Sequence, residues 1–132
     1  MASNRLYNLI LKLIPPTKEG KIIWQPTAKE GVFRVALGEG LVRIESGLKD
    51  EEAKPWYAVY LVSRKGQTID EIIADDSTFQ DPDEYTLLAD LYTSARLSAF
   101  NADAVIDSML RDIEDGTTRE IPPDIEKSEV PF

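Results

Sequence analysis

Two hydrophobic periods divide this chain into helical and strand-forming parts. Apolar residues recur at helical spacing between Leu6 and Ile14, and again in two stretches after Asp81. Between these parts, apolar and polar positions alternate with period two, which is typical of strands that bury one face. The pattern predicts an α+β fold with an N-terminal helix, a four- to five-stranded antiparallel meander and a C-terminal helical hairpin.

The first helix has a cap at Ser3 or Asn4, and Pro15-Pro16 is expected to end it. After a turn, the segment Ile22-Ile23-Trp24 is predicted to form a short strand that Pro26 closes, because proline cannot donate to a sheet. Trp24 is expected in the core, since aromatic side chains carry a large area to bury.

Two glycine-containing turns divide the sheet into hairpins. Gly38-Glu39-Gly40 joins one pair of strands, and Arg64-Lys65-Gly66-Gln67 joins another. The polar stretch from Ser46 to Pro55 is predicted to be a loop. The segment from Trp56 to Ser63 is apolar on both faces and is predicted to be the central strand, followed by a strand from Thr68 to Ala74.

The run Asp81-Pro82-Asp83-Glu84 predicts the start of the second helix. It offers an Asp cap, a proline at the first helical position and a glutamate three residues after the cap. That helix should run to about Phe100, Asn101 to Asp103 should recap the chain, and Gly116 should end a last helix. Residues 117–132 contain prolines and charges without an apolar period, so we expect a mobile acidic tail after a single domain of residues 1–116.

The buried positions follow from the two periods together. In the strands they alternate, and in the helices they lie on one stripe. The residues expected to be largely buried are Phe33, Val35, Val42, Ile44, Val59, Leu61, Leu88, Leu91, Tyr92 and Leu110.

Composition removes several classes of function. The chain has no cysteine and no histidine, which excludes disulfides, thiol nucleophiles, imidazole bases and metal sites built from thiolate or imidazole. The first apolar stretch is interrupted by Asn8 and Lys12 and is too short and too polar for a signal segment or a membrane span. We therefore expect a cytoplasmic protein with no membrane contact.

Two acidic groups have the composition of chemical sites. Asp75, Asp76, Asp81 and Asp83 suggest a cation site of oxygen ligands, but they lack an EF-hand spacing and two of them already start a helix. Asp103 and Asp107 share a helix face one turn apart and suggest a two-carboxylate hydrolase site. However, Asp103 is the expected cap, and Asp107 can pair with Arg111 one turn on. The sequence therefore predicts no metal, no cofactor and no catalytic residue.

Charge is divided unevenly along the chain, whose net charge is −9. Residues 1–69 carry eleven Lys or Arg and seven Asp or Glu, whereas residues 70–132 carry four and seventeen. Asp112, Glu114 and Asp115 lie at the end of the last helix, where acid opposes the helix dipole. Either the surface tolerates them for solubility, or they dock against a basic protein partner, which is our hypothesis.

Self-association is the second predicted property. A meander leaves an edge strand with unpaired amides and carbonyls, and the basic front half of one copy can meet the acidic helices of another, so we expect a homodimer. Arg96 lies between Tyr92 and Phe100 at helical spacing. It either anchors an acidic group of the sheet or a neighbouring subunit, or lies over apolar surface.

Two other functions stay open. A sheet that binds single-stranded nucleic acid would use aromatic side chains beside Lys21, Arg34, Arg43, Arg64 and Lys65. A pI near 4.5 disfavours that partner, because long-range repulsion opposes phosphate. An enzyme would have to rely on carboxylate, lysine or tyrosine chemistry, and none of these residues forms a recognised arrangement. The sequence thus favours a non-enzymatic interaction protein.

One resemblance spans most of residues 6–113. The front half contains Thr17-x-x-Gly20-Lys21-Ile22-x-Trp24, and the C-terminal part contains Leu91-Tyr92-x-x-Ala95-Arg96-x-x-Ala99 followed by Asp103-x-x-Ile106-Asp107-x-x-Leu110. In these motifs the chain resembles a group of small bacterial proteins and domains without an established activity. The resemblance implies a bacterial source and the same fold, and no function.

Overall fold

The computed structural model describes residues 4–48, 55–75 and 82–123 and has three helices and five strands in these ranges. The strands form one antiparallel sheet in the order β1-β2-β3-β4-β5, so the predicted α+β meander is confirmed. The elements are α1 (Asn4–Lys18), β1 (Gln25–Pro26), β2 (Val32–Leu37), β3 (Gly40–Leu48), β4 (Pro55–Ser63), β5 (Thr68–Ala74), α2 (Pro82–Ala99) and α3 (Ala102–Asp115).

The chain forms two compact units, residues 1–102 and 103–132. The first unit contains α1, the sheet and α2. All of α3 except its first residue belongs to the second unit.

The core of the first unit lies on one face of the sheet. Phe33, Ile44, Val59 and Ile72 pair in one row across four strands, and all are buried because period two turns them to the same side. The helices complete this cluster with their apolar stripes, which consist of Leu6, Ile10, Leu13 and Ile14 from α1 and Leu88, Leu91 and Ala95 from α2.

Most of the predicted core positions are confirmed. Leu61 and Tyr92 are only half-buried. The prediction that Leu110 is buried was wrong, because its side chain is 52% exposed. It lies on α3, where no described residue is buried. The helical period shows which face of a helix is apolar, but not whether another element covers that face.

The first helix does not end at Pro15-Pro16, as the sequence predicted, but continues to Lys18. Proline fits the φ of a helix and lacks only its N–H. The carbonyls that lose a donor belong to Leu11 and Lys12, which are exposed, so water can satisfy them. Burial of Thr17, at 4% exposure, stabilises the added turn.

Trp24 is buried as predicted, but Ile22-Ile23-Trp24 is not a strand, and β1 consists only of Gln25–Pro26. Hydrogen bonds to helices take the place of strand pairing. The backbone N–H of Trp24 donates to the Ser98 hydroxyl at 2.9 Å, and that hydroxyl donates to the Ile22 carbonyl at 3.2 Å. These bonds hold the segment against α2.

The predicted loop from Ser46 to Pro55 was partly wrong, because β3 extends to Leu48. Gly47 pairs with Trp56, and a Cβ at Gly47 would lie 2.7 Å from the indole ring. The glycine thus leaves room for the tryptophan across the strand pair, which keeps this polar stretch in the sheet. Residues 49–54 lie outside the described residues.

Both predicted hairpin turns are confirmed. Gly38 has a φ of 55°, and Leu37 pairs with Gly40, so two residues join β2 to β3. A positive φ at the first of these two residues alone is typical of a type II′ turn. The start of α2 at Pro82 is also confirmed, with Asp83 and Glu84 in its first turn, while the cap Asp81 lies outside the described residues.

A chain of aromatic rings lies between the sheet and α2. Ring centroids are 5.5 Å apart for Tyr85 and Tyr57 and for Tyr57 and Tyr92, and 5.6 Å apart for Tyr92 and Phe33. Phe100 extends the chain, with its ring perpendicular to that of Phe33. Such tilted and edge-on pairs are the favoured arrangements of aromatic rings.

Candidate interaction surface on the last helix

The ends of α3 are fixed by local backbone signals. Asn101 has a φ of 54°, the left-handed conformation that asparagine tolerates, and it separates α2 from α3 as the sequence predicted. At the other end, the N–H of Gly116 donates to the Ile113 carbonyl at 3.2 Å. The N–H of Thr117 donates to the Asp112 carbonyl at 2.8 Å. With Gly116 at a φ of 67°, these two bonds form a Schellman motif.

The apolar side chains of α3 are exposed. Val105, Ile106, Met109, Leu110 and Ile113 have exposed fractions between 46% and 73%. At about 100° per residue they fall within an arc of roughly 140°, so they form one continuous stripe, called here the α3 stripe. An exposed apolar stripe of this kind marks an interaction site more often than a solvated surface.

Acidic residues border one side of the α3 stripe. Asp103, Asp107 and Glu114 fall next to Leu110 on the helical projection, and all three are exposed. Arg111 falls on the side of the helix opposite the stripe. The border of the apolar surface is therefore negatively charged.

Asp112 borders the other side of the α3 stripe and is hydrogen-bonded to a residue of the second unit. Its carboxylate accepts two hydrogen bonds from Arg119, one from Nε at 2.6 Å and one from Nη2 at 3.0 Å. This contact holds the pKa of Asp112 below its usual range, with a smaller contribution from the charge of Arg111. Arg119 thereby neutralises an acid that would oppose the dipole at this end of the helix.

The four predicted partner-binding residues lie in different units. Asp112, Glu114 and Asp115 lie at the end of α3 in the second unit, with Glu114 and Asp115 exposed. Arg96 lies in the last turn of α2 in the first unit and is exposed. Its charge acts on the Tyr92 hydroxyl, whose pKa is raised mainly by burial and lowered in part by Arg96.

The cations proposed for nucleic acid do not form one surface. Arg34, Arg43 and Tyr60 share a row on the sheet face opposite the core, whereas Lys21, Arg64 and Lys65 lie in turns. The Arg43 guanidinium lies 4.6 Å from the Tyr60 ring centre, and its Nε lies 3.4 Å from a carboxylate oxygen of Glu45. Burial is the main cause that raises the pKa of Tyr60, and the charges of Glu45 and Glu71 raise it further. These carboxylates beside Tyr60 would repel a phosphate group.

Tyr57, Tyr60 and Tyr92 do not have the electrostatics of an activated nucleophile or base. Burial is the main cause that raises the pKa of Tyr57, of Tyr60 and of Tyr92. A raised pKa keeps a phenol protonated, whereas catalysis by phenolate needs a lowered one. The Tyr85 hydroxyl has a structural role, since it donates a hydrogen bond to the Pro55 carbonyl at 2.7 Å.

The described residues, 4–48, 55–75 and 82–123, contain neither a metal site nor a membrane span. In these ranges no group of three acidic side chains is placed to hold a metal ion, and no helix is long and apolar enough to cross a membrane. Asp76 and Asp81 of the predicted acidic group lie outside the described residues.

Sequence reasoning missed two features of the interaction surface. It assigned Leu110 of the α3 stripe to the core, although the same period also describes an uncovered helix. It also missed Arg119, which lies seven residues after Asp112 and beyond the helix end, where no helical spacing relates the two residues. The only sequence signal for this contact was a basic residue that follows the helix-ending Gly116.

Comparison of the chain with protein-family models, with curated proteins and with solved structures gives no match.

Proposed function

We propose that this chain is a non-enzymatic interaction protein whose α3 stripe binds a basic amphipathic helix of a protein partner. The observation that carries the proposal is the exposure of five large apolar side chains on one face of α3. A helix that lies in a groove or against another helix is anchored by residues at this spacing. Docking would remove that apolar surface from water.

The acidic border defines the chemistry of the partner. Asp103, Asp107 and Glu114 line one side of the α3 stripe, so a partner with Lys or Arg beside its own apolar face is complementary to it. A lipid surface is a poor occupant, because interfacial helices carry lysine and arginine, and anionic lipids repel acid. Opposite charges at the border would make association fast and sensitive to salt.

A synthetic peptide tests this function directly. An 18-residue helix of Leu and Lys, with Leu at positions i, i+3, i+4 and i+7, serves as the basic amphipathic probe. We expect saturable binding by fluorescence anisotropy that weakens as salt is raised. A scrambled peptide of the same composition, which lacks an apolar face, should bind at least about tenfold more weakly.

Matched variants of the full chain separate the two parts of the surface. Ile106→Ser with Ile113→Ser should abolish binding by removing the middle and end of the α3 stripe, while the core stays intact by circular dichroism. Asp107→Lys with Glu114→Lys should weaken binding and reverse its salt dependence. Glu19→Lys with Glu39→Lys makes the same change in net charge on exposed positions of the first unit and should leave binding unchanged.

Two results would reject the proposal. One is equal affinity for the basic peptide and for a Glu-containing peptide of the same pattern, which would show that charge has no role. The other is unchanged affinity after both isoleucines are replaced by serine. Binding to anionic vesicles without binding to the peptide would assign α3 to a lipid surface instead.

We further propose that the protein forms a homodimer through β5. Among the described strands, β5 pairs only with β4, and its other edge is open. Ile73 is 53% exposed on this strand, so a second copy that pairs with the backbone beyond the irregularity at Ile69 would cover this apolar side chain.

A further inference from the structure

A cleft of about 570 Å³ lies between α1 and the β4–β5 hairpin in the first unit. Its volume falls within the range of small-molecule sites, which is about 300–1,000 Å³. The lining from α1 consists of Arg5, Leu6, Asn8, Leu9 and Lys12, and the hairpin adds Leu61, Ile69 and Asp70.

The cleft carries two cations on one wall. Arg5, Leu9 and Lys12 are four and three residues apart, so they follow one another along the same side of α1. Both cations are exposed, and no ion pair joins either of them to a carboxylate among the described residues. An anion that enters the cleft thus meets two positive charges and the amide of Asn8 on the same wall.

A β-bulge forms the opposite wall. Leu61 pairs with Asp70 and Val62 pairs with Thr68, so Ile69 has no partner across the hairpin. A bulge redirects the extra side chain and is frequent beside functional sites. Here it brings Ile69 to the lining beside Leu61, giving that wall an apolar surface.

We propose that this cleft binds a small monoanion with an unbranched apolar body, such as a medium-chain carboxylate. The carboxylate would lie between Arg5 and Lys12, where the guanidinium and ammonium donate hydrogen bonds. The methylene chain would lie along Leu9, Leu61 and Ile69. Asp70 on the lining disfavours a second negative charge, which selects a monoanion over a dianion.

Titration of the full chain with decanoate below its micelle-forming concentration tests the proposal. We expect saturable NMR shifts at the methyl groups of Leu9, Leu61 and Ile69. Affinity should rise by about fourfold per added methylene from hexanoate to decanoate, because each buried methylene contributes about 0.8 kcal/mol. Decylamine has the same body and the opposite charge, and it should not bind.

Variants of the cationic wall give the decisive comparison. Arg5→Gln with Lys12→Gln should weaken decanoate binding by about tenfold or more, the usual effect of losing hydrogen bonds to a charged group. Lys21→Gln with Lys29→Gln makes the same change in net charge at exposed positions outside the lining and should have no effect. If the double variant does not fold by circular dichroism, Lys12→Gln alone should still weaken binding.

Three outcomes would overturn this inference. They are equal binding of decylamine, an equal loss of affinity in both double variants, and no shift at the lining methyl groups. Response to anionic vesicles without response to monomeric decanoate would also overturn it, since that result would assign the surface to a membrane. The cleft lies in the first unit, so these results do not depend on the proposed function of α3.

Discussion

Thr17 joins a helix to the tryptophan that follows it. Its hydroxyl accepts a hydrogen bond from Trp24 Nε1 at 3.0 Å and donates one to the Leu13 carbonyl at 2.7 Å. Trp24 is 1% exposed, so its indole N–H has little access to water. A buried hydrogen-bond donor needs an acceptor. The hydroxyl oxygen of Thr17 is that acceptor, and its O–H donates to a backbone carbonyl of α1.

Thr17→Val tests this role, because valine keeps the shape of the side chain and removes its hydroxyl. We expect the free energy of unfolding to fall by about 1–3 kcal/mol, the cost of leaving a buried donor without an acceptor. A urea titration followed by circular dichroism measures the change. Thr93→Val on the exposed face of α2 is the matched control, and an equal loss in both variants would contradict the assigned role.

At the scale of elements, α1 and α3 have similar sequence patterns and different surroundings. The stripe of α1 is buried, with Leu6, Ile10 and Leu13 at 2% exposure or less, whereas the α3 stripe is exposed. The helical period correctly predicted that both segments are helical, because it depends only on residues three and four apart. It did not predict what covers each stripe, because that depends on contacts between distant segments.

The remaining errors at this scale have the same origin. Pro15-Pro16 has a strong local tendency to end a helix, and burial of Thr17 against Trp24 overrides it. The polarity of Ser46 to Leu48 predicts a loop, and pairing with β4 overrides that tendency too. The cleft was not predicted at all, since its lining joins α1 to strands that follow about fifty positions later in the chain.

Asp112 gives a prediction about the end of α3. Arg119 is the main cause of its lowered pKa, so Arg119→Gln should raise that pKa toward the usual value for aspartate. Arg111→Gln should raise it less, because Arg111 acts only through its charge. An NMR titration of the carboxyl carbon measures both.

The direction of the pH dependence follows from the same contact. Because the folded-state pKa of Asp112 is below the unfolded value, the stabilisation is present above the unfolded pKa and is lost as pH falls through the folded one. Equal shifts in the two arginine variants would show that the hydrogen bonds to Arg119 are not the cause.

At the scale of the whole molecule, the order of the strands was predictable and the way in which the sheet ends was not. Gly38 and Gly66 lie in the two predicted hairpin turns, so β2 and β3 were expected to be neighbours, as were β4 and β5. The two edges differ, however. β1 has two residues, one of them Pro26, whereas β5 has seven.

The open β5 edge predicts a dimer at micromolar concentration by light scattering. Backbone pairing should persist at low and high salt, whereas a dimer held by opposite charges should dissociate at high salt. Ile73→Lys should give a monomer, because an edge lysine opposes pairing. Ile23→Lys, at a position 66% exposed outside the sheet, is the control. A wild-type monomer at both salt levels would reject the dimer.

The inequality of the two edges also determines how far such an assembly can grow. A sheet that offers a full-length strand at both sides can add copies without limit and become a fibre. Here a second copy would occupy the β5 edge, and the sheet of each copy would then end at β1, where two residues, one of them a proline, offer a very short template. Pairing through β5 would therefore close on itself after two chains, and the short first strand would then act as a terminator of polymerisation.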